Sequence, residues 1–253
     1  MEKEKFTIPT EVVDLPSKGL FYPEDSLLRK GTIEIKYPTA KEEDILTSQN
    51  LIKKGIVIEE FLKSLIVDKS INYGDILIGD INAIMVGARI LAYGPIYQAE
   101  VACPSCGNKQ QIQTNLSEIE DKKTDDVLHD GNEFYFTMPV SKVKVGFKLL
   151  TQNDSKQAET INKKLKAKLG IDSELTSRLK ASIISVNEDD TPKTINEFVD
   201  SMPARDSLAF RKHLNKITPD IDLSLYFECD ECGHEGRVNL PLGTSFFWPS
   251  TEE

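Results

Sequence analysis

The sequence predicts an α+β fold: a split four-cysteine zinc ribbon made of two CxxCG hairpins, an inserted hairpin-plus-helices region and an N-terminal helical region. The ribbon is predicted because the two cysteine pairs share one form and each lies between segments that alternate apolar and polar residues. The long separation of Cys106 from Cys229 indicates that further structure is inserted between the halves. Apolar residues at helical spacing elsewhere predict the helices.

The four cysteines of the chain, Cys103, Cys106, Cys229 and Cys232, are the candidate metal ligands. Two thiolates separated by two residues can bind one tetrahedral Zn²⁺ from a single turn, and a closed structural site needs four ligands. The two pairs together therefore predict one structural Zn²⁺ with no open position for water. His234 could replace a cysteine, but four thiolates complete the shell, so we expect it to be a solvent-facing turn residue.

Other uses of the cysteines fit the sequence less well. Two disulfides would suit a secreted domain, but the first ten residues lack the apolar stretch of a signal peptide. A redox CxxC pair usually begins a helix in a βαβ unit, and nothing here resembles that arrangement. Thiols without a ligand are the third alternative.

The composition disfavours some classes of function. The chain has 253 residues, a net charge of −10 and a pI of about 5.0. This acidic balance disfavours sequence-independent binding of nucleic acid, which needs clustered Lys and Arg. No apolar stretch is long enough to span a bilayer and no targeting signal is evident, so we expect a protein of the reducing cytoplasm without a membrane partner.

The order of the predicted elements divides the chain into four units. Residues 1–94 form an N-terminal arm, a strand and a helical region, and residues 95–116 plus 221–242 form the two halves of the ribbon. Residues 131–220 form the inserted β-hairpin and helices, and residues 243–253 form an aromatic tail. A charged segment, residues 116–126, reads as a solvated connector.

The N-terminal unit is predicted in three steps. Prolines and glycine make residues 12–23 extended, and the alternation of residues 31–37 predicts a strand. Thr39 with Glu42 forms a capping box that opens a helix to about Asn50, and a second helix follows Gly55. A third helix is expected from Asp80 as N-cap to Gly94, with its Arg89 exposed or paired locally. The apolar face of the second helix comprises Ile58, Phe61, Leu62, Leu65 and Ile66.

The insert is predicted as a hairpin followed by helices. Alternation over residues 133–138 and 142–149 predicts the hairpin. A helix from Asn153 or Asp154 to Leu169 carries a run of lysines that we expect to be solvated. Helices over residues 173–184, 195–201 and 204–217 follow, with a polar loop at residues 186–193.

Two apolar segments are candidate contacts for a partner. Leu20, Phe21 and Tyr22 lie in the extended arm, which packs on the domain or docks on another protein. The tail carries aromatic side chains that either fold back onto the core or anchor a partner, and the sequence leaves both interpretations open. These tail residues are Phe246, Phe247 and Trp248.

No catalytic constellation is present in the sequence. It contains no glycine-rich phosphate loop, GxSxG or HExxH, and its three histidines lie in unrelated contexts. The sequence therefore predicts a protein without enzymatic activity.

With these motifs assembled, the sequence resembles the baseplate hub assembly proteins of T-even-type contractile-tailed phages. The resemblance covers most of the chain through an ordered series of stretches. They are residues 15–22 (LPSKGLFY), 39–46 (TAKEEDIL), 88–94 (ARILAYG), the first CxxCG, 204–207 (ARDS), 219–222 (PDID), the second CxxCG and 246–249 (FFWP).

The resemblance implies a non-enzymatic role in building the central hub of the baseplate, through binding of hub proteins in the host cytoplasm. It also implies that the family's cysteine pairs correspond to the four cysteines named above. Members of the family act as assembly factors or stay in the baseplate, so the leading hypothesis is an assembly factor and the alternative is a permanent baseplate subunit. A zinc-ribbon nucleic-acid binder is a second alternative. The resemblance fixes neither the hub partner nor the oligomeric state.

Overall fold

A computed structural model describes residues 7–124, 131–170 and 172–247. In these residues the chain mixes α-helices with four small antiparallel sheets, which confirms a fold built of both helix and strand. The helices are α1 (Ala40–Leu46), α2 (Gln49–Lys54), α3 (Val57–Leu65), α4 (Ile78–Tyr93), α5 (Gln152–Leu169), α6 (Glu174–Ser182), α7 (Pro192–Asp200) and α8 (Ala204–Ile217). The strands are β1 (Thr10–Asp14), β2 (Thr32–Lys36), β3 (Ile96–Ala102), β4 (Lys109–Asn115), β5 (Phe134–Thr137), β6 (Lys144–Phe147), β7 (Ile183–Val186), β8 (Ser224–Glu228) and β9 (Glu235–Asn239).

The N-terminal arm is part of the domain. Strand β1 pairs with β2, with Thr10 opposite Lys36 and Asp14 opposite Thr32. The chain then turns tightly at Gly19, which has φ of 77°, and a Cβ there would lie 2.3 Å from the carbonyl oxygen of Arg29. Glycine is therefore required at this turn, because another residue would meet both a strained φ and a steric clash.

Buried Asp80 fixes the arm to helix α4. Its carboxylate is 1% exposed and accepts hydrogen bonds from Ser17 N (2.9 Å), Ser17 Oγ (2.7 Å) and Tyr22 Oη (2.6 Å). The Tyr22 hydroxyl in turn accepts from Leu77 N at 3.0 Å. The prediction of Asp80 as N-cap is wrong, because α4 begins at Ile78 and Asp80 lies within its first turn.

The helix predicted from Thr39 to about Asn50 is two helices, α1 and α2. The capping box is present, since the Glu42 carboxylate accepts from Thr39 N at 3.0 Å. The break follows at Thr47: Ser48 N donates to Ile45 O (3.1 Å) in place of Asp44 O, which accepts from the Thr47 hydroxyl at 3.4 Å. Helix α3 buries its predicted face, with Phe61, Leu62 and Leu65 fully buried and Ile66 just beyond its end nearly so.

The insert contains a third strand that the sequence analysis assigned to a helix. Helix α6 ends at Ser182, and Ile183 begins β7, where it lies opposite Phe147 of β6. A short apolar run fits either a helix or a strand. Here it forms a strand because it pairs with the free edge of the predicted β5–β6 hairpin. The predicted loop after β7 is also shorter, because α7 begins at Pro192 with Thr191 as its N-cap.

The two long helices of the insert agree with their predictions. Helix α8 has the predicted bounds, and α5 begins at Gln152, one residue before the predicted start. In the predicted lysine run, Lys163, Lys164 and Lys166 are exposed, as expected, and the Lys168 side chain lies outside the described part of the structure. Lys163 has 79% and Lys166 has 61% of its side chain exposed.

Backbone hydrogen bonds join the insert to the N-terminal unit along a seam at the start of α4. Gln152 N donates to Ile76 O (3.0 Å), and Ile78 N donates to Leu150 O (3.2 Å). A Cβ on Gly79 would lie 1.9 Å from the carbonyl oxygen of Pro219, so the end of the insert approaches the same turn of α4. An internal segment of the insert (residues 150 and 152) and its last residues therefore both meet the start of α4.

The described part of the connector is largely exposed, as expected, but residues 120–122 also pair with the chain that follows the insert. Lys122 N donates to Asp220 O, and Asp222 N donates to Glu120 O, both at 2.8 Å. The Lys122 ammonium also donates to Thr218 O at 3.3 Å. Residues 120–122 thus lie beside residues 220–222, and the chain enters and leaves the insert side by side. Residues 125 and 126 lie outside the described part of the chain.

Arg89 of α4 is 5% exposed, so the expectation of an exposed arginine is wrong, whereas the alternative of local pairing holds for its contacts with Tyr93 and Gly94. Its partners are carbonyls and rings. Nε donates to Phe246 O (3.0 Å) and Nη1 to Gly94 O (3.4 Å), while the guanidinium lies 4.8 Å from the Tyr93 ring and 5.5 Å from the Tyr97 ring. Burial lowers the pKa of Arg89 below its ordinary value. The arginine is thus an internal link between α4, β3 and the tail.

Candidate metal centre

The first cysteine hairpin joins β3 to β4 by a tight turn. Its strands pair from Ile96 opposite Asn115 to Ala102 opposite Lys109. In the turn, Cys103 N donates to Asn108 O at 2.7 Å, and Gly107 N donates to Cys103 O at 2.9 Å. Gly107 has φ of 75°, a conformation that glycine adopts without strain.

The second hairpin, β8 to β9, repeats this turn. Cys229 N donates to His234 O (3.0 Å), Gly233 N donates to Cys229 O (2.9 Å), and Gly233 has φ of 65°. His234 thus contributes its backbone carbonyl to the turn. Among the described residues, the one group of three or more His, Cys, Asp or Glu side chains placed to hold a metal ion consists of the four cysteines, without His234.

The two turns bring the four sulfur atoms within 4.8 Å of one another. Two pairs of sulfurs link the hairpins, with 3.7 Å between those of Cys103 and Cys232 and 3.7 Å between those of Cys106 and Cys229. A disulfide bond is about 2.05 Å long, so these thiols are free. Four sulfurs at about 2.3 Å from a tetrahedral Zn²⁺ would lie about 3.8 Å apart. The spacing therefore fits one tetrahedral metal ion.

The backbone around Cys103 favours its thiolate form. Burial of Cys103 raises its pKa, but the N–H groups of Cys106 and Ser105, together with the thiols of Cys106 and Cys229, lower the pKa to about 6. The N–H of Asn108 lowers the pKa of Cys106, but contacts with the other thiols in turn raise it to about 12. The Ser105 N–H lies 3.4 Å from the Cys103 sulfur. Because metals bind the thiolate, this turn prepares a ligand before any ion arrives.

Gln110 joins the two hairpins beside the sulfurs. Its amide nitrogen donates to Glu228 O (2.8 Å), and its amide oxygen accepts from Asp230 N (3.0 Å). Both partners flank Cys229, so the side chain sets the position of the second turn relative to the first. Gln110 is half-buried on β4, whereas the next residue, Gln111, is exposed.

The tail folds back onto the ribbon and the N-terminal helices. Phe246 is fully buried and its ring lies 4.8 Å from that of Tyr97 on β3. Phe247 is 1% exposed and lies 4.8 Å from the ring of Phe61 on α3. Arg89 fixes the tail by its hydrogen bond to Phe246 O. Trp248 lies outside the described residues.

The predicted partner residues of the arm differ in exposure. Phe21 and Tyr22 are buried, at 6% and 4% exposure, whereas Leu20 is 44% exposed. Phe21 packs on Phe134 of the insert, with ring centroids 5.6 Å apart. Like the two tail phenylalanines, Phe21 and Tyr22 are buried in this conformation, and Leu20 is the exposed member of the predicted set among the described residues.

Sequence reasoning gave Asp80 and Arg89 other roles, as an N-cap and as an exposed or locally paired residue, and it missed Gln110 as a link between the hairpins. A signal existed for the first two, because each interrupts an apolar stretch of α4. The sequence around Gln110 reads KQQIQ, and alternation alone does not show which glutamine faces the second hairpin.

The fold and the site define a class: a mixed helix-and-strand protein whose two cysteine hairpins form a single four-thiol cluster. A family model described as T4 bacteriophage base plate protein matches residues 9–248, nearly the whole chain. The chain belongs to this family, which confirms the recognition of a T4-type baseplate protein. Comparison with curated proteins and with solved structures found no match. None of the helices in the described residues has the length and apolar character needed to cross a membrane.

Proposed function

We propose that this protein is a non-enzymatic assembly factor that helps to build the central hub of a phage baseplate by binding hub proteins. The observation that carries the proposal is the match of residues 9–248 to a baseplate family. The protein would act in the host cytoplasm during tail assembly. The buried polar residues described above support a structural role, because each is occupied in holding the chain together.

The same proposal assigns a structural Zn²⁺ to Cys103, Cys106, Cys229 and Cys232. The fit of the sulfur spacing to a tetrahedral ion supports it. Bound Zn²⁺ would supply a cross-link between the hairpins, since four thiolates leave it no open coordination position. The chain's own contribution is the pair of matching turns and the Gln110 bridge, which hold the thiols close before the ion binds.

A pull-down of the tagged full chain from infected cells, with zinc measured in the same sample, tests both parts. We expect hub proteins to co-purify and about one zinc per chain. Hub proteins without zinc would overturn the metal assignment alone. Zinc without hub proteins would overturn the assembly role alone.

Partner binding by Leu20, Phe21, Tyr22, Phe246, Phe247 and Trp248 stays a prediction, and the structure makes Leu20 the first residue to test. Leu20→Ala should reduce capture of hub proteins. Leu27→Ala is the matched control, because Leu27 is 38% exposed, close to the 44% of Leu20, and lies in the same segment. Equal capture by both variants would remove Leu20 from the partner surface.

The alternative is a permanent structural subunit of the virion baseplate, which the description of the family favours. Quantitative mass spectrometry of purified mature particles separates the two. A fixed stoichiometry relative to other baseplate proteins would support a permanent subunit, and absence from mature particles would support an assembly factor.

A nucleic-acid-binding ribbon is the second alternative. The net charge of −10 opposes it, since binding to the phosphate backbone releases counterions only where cations cluster. Salt-dependent retention of duplex or single-stranded DNA by the full chain would favour this alternative over the assembly role.

A further inference from the structure

A groove of about 800 Å³ opens between helices α6 and α8 of the insert. Its floor includes Leu149 and the start of α4, and its walls are one face of each helix. Its volume is within the range of about 300–1,000 Å³ that is usual for ligand pockets. The groove is defined here by five wall residues, which are Leu175, Arg178 and Leu179 on α6 and Arg211 and Leu214 on α8.

The spacing of the wall residues makes the groove suitable for a helix. Leu175, Arg178 and Leu179 lie three and four residues apart on α6, and Arg211 and Leu214 lie three apart on α8, so each set occupies one helix face. Leu175 is 45% exposed although it faces an apolar surface. Two helix walls with an apolar floor are the geometry in which proteins bind the apolar face of a third, amphipathic helix.

The unbalanced charge of the groove is positive. Arg211 has no hydrogen bond or ion pair within the described chain, and the guanidinium of Arg178 has one exposed carboxylate, that of Glu174, at 3.7 Å. The other acidic groups that line the groove are engaged elsewhere. Asp172 binds Lys166 at 3.0 Å, and Asp220 accepts from Asn82 at 3.0 Å.

Two further lysines line the groove, but their ammonium groups already bind other groups of this protein. Lys148 pairs with Asp154 at 2.7 Å, and Lys122 donates to Thr218 O and to Asn215 Oδ1. Each wall thus carries one accessible arginine: Arg211 has no partner among the described residues, and Arg178 has only the exposed Glu174 carboxylate at 3.7 Å. In a chain of net charge −10, this local excess of positive charge selects an acidic occupant.

We propose that this groove binds an acidic amphipathic helix of a partner protein. The leucines of that helix would lie between Leu175 and Leu214, and its carboxylates would pair with Arg178 and Arg211. Only the expectation that the partner is a baseplate protein rests on the proposed function. The groove and its ligand chemistry do not.

The first test uses the full chain and two synthetic peptides in a fluorescence anisotropy titration. One peptide is about four helical turns long, with leucines spaced three and four residues apart and glutamate elsewhere, and its twin has lysine in place of glutamate. We expect the acidic peptide to bind about tenfold more tightly than the basic twin. We expect Arg178→Glu with Arg211→Glu to weaken that binding at least about tenfold.

Lys212→Glu is the matched control, because Lys212 is an exposed cation on α8 that does not line the groove. Circular dichroism and thermal melting verify that each variant is folded. Equal affinity for the two peptides, or an equal effect of the double variant and the control, would overturn the proposal. This test is independent of the baseplate role.

The second test identifies the partner in infected cells. A photo-cross-linking amino acid replaces Leu175, and in the control it replaces Leu208, which is also 45% exposed but does not line the groove. We expect a cross-link from position 175 to an acidic helical segment of another baseplate protein, and its loss with the double charge reversal. A cross-link to a basic segment or to a second copy of this chain would overturn the proposal. If hub proteins co-purify but no cross-link forms at position 175, the groove proposal is overturned and the assembly role stands.

Discussion

Single polar residues inside the core explain much of how this chain holds its shape. Asp80 receives three hydrogen bonds from the arm, and Arg89 binds the tail and two tyrosine rings. Burial raises the pKa of Asp80 above its ordinary value and lowers that of Arg89. These groups are therefore kept at a cost in desolvation, which is offset by the hydrogen bonds that each makes with a terminal segment.

The Tyr22 hydroxyl is the most sensitive of these links, because it both donates to Asp80 and accepts from Leu77 N. Tyr22→Phe leaves two buried polar groups without this partner. We expect a loss of about 1–3 kcal/mol in the free energy of unfolding, measured by urea denaturation. Tyr226→Phe is the control, because Tyr226 is 66% exposed. An equal effect of the two substitutions would show that the hydroxyl does not tie the arm to α4.

Glu42 gives a prediction with a defined pH dependence. Burial raises its pKa, but hydrogen bonds from Lys36 and Thr39 together lower it below its ordinary value of 4.5. A lowered pKa in the folded state means that the carboxylate stabilises the fold above pH 4.5 and loses that contribution as the pH falls through the folded-state pKa. Glu42→Gln should therefore cost about 1–2 kcal/mol at pH 7, and less at pH 3.

Urea denaturation of Glu42→Gln at several pH values measures this difference. Glu43→Gln is the matched control, since Glu43 is an exposed residue in the same helical turn. If the loss in the free energy of unfolding stays constant from pH 7 to pH 3, Glu42 contributes through its shape and not through its charge.

At the scale of elements, the sequence predicts what depends on local pattern. The bounds of α8, the β5–β6 hairpin and the capping box at Thr39 follow from periodicity and local chemistry. Strand β7 does not, because Ile183 and Ile184 continue the apolar spacing of α6 and only the free edge of β6 makes them a strand. Burial of Phe246 is equally nonlocal, since it depends on Tyr97 and Arg89 far away in the sequence.

The four-thiol cluster was predictable for the same reason. Each CxxCG turn is local, and two incomplete ligand pairs in one chain imply that they meet. The residue that holds the two turns together, Gln110, was not predictable. Gln110 and Gln111 differ only in which face of β4 they occupy.

The hairpin contact formed by Gln110 should control metal affinity. Gln110→Ala removes both hydrogen bonds to the second hairpin, so the two ligand pairs are less well positioned for one ion. We expect about a tenfold loss in Zn²⁺ affinity, measured by competition with a chromophoric chelator. Gln111→Ala is the control on the exposed face of the same strand. Unchanged affinity in Gln110→Ala would show that the cysteine turns alone set the site.

At the scale of the whole molecule, two different links close the long insert. The ribbon joins its ends through the four cysteines, and residues 120–122 join the same ends by hydrogen bonds with residues 220–222. The seam at the start of α4 also ties residues 150 and 152 of the insert to the N-terminal unit through Ile78 and Ile76. Closure of a long loop by a metal should stabilise the folded chain. The seam shortens the loop that the metal has to close. The stability of the insert should therefore depend less on the ion than expected from the long sequence separation of the cysteine pairs.

Removal of Zn²⁺ should therefore act on the ribbon and spare the insert. Hydrogen exchange with and without a chelator measures this element by element. We expect β3, β4, β8 and β9 to lose protection, while β5, β6 and β7 keep it, because the seam and the buried rings of Phe147 and Phe210 do not involve the cysteines. Addition of Zn²⁺ should restore the ribbon, and Cys106→Ser should reproduce the chelated pattern without chelator. Loss of protection in all seven strands together would show that the ion closes the insert and that the seam alone does not hold it.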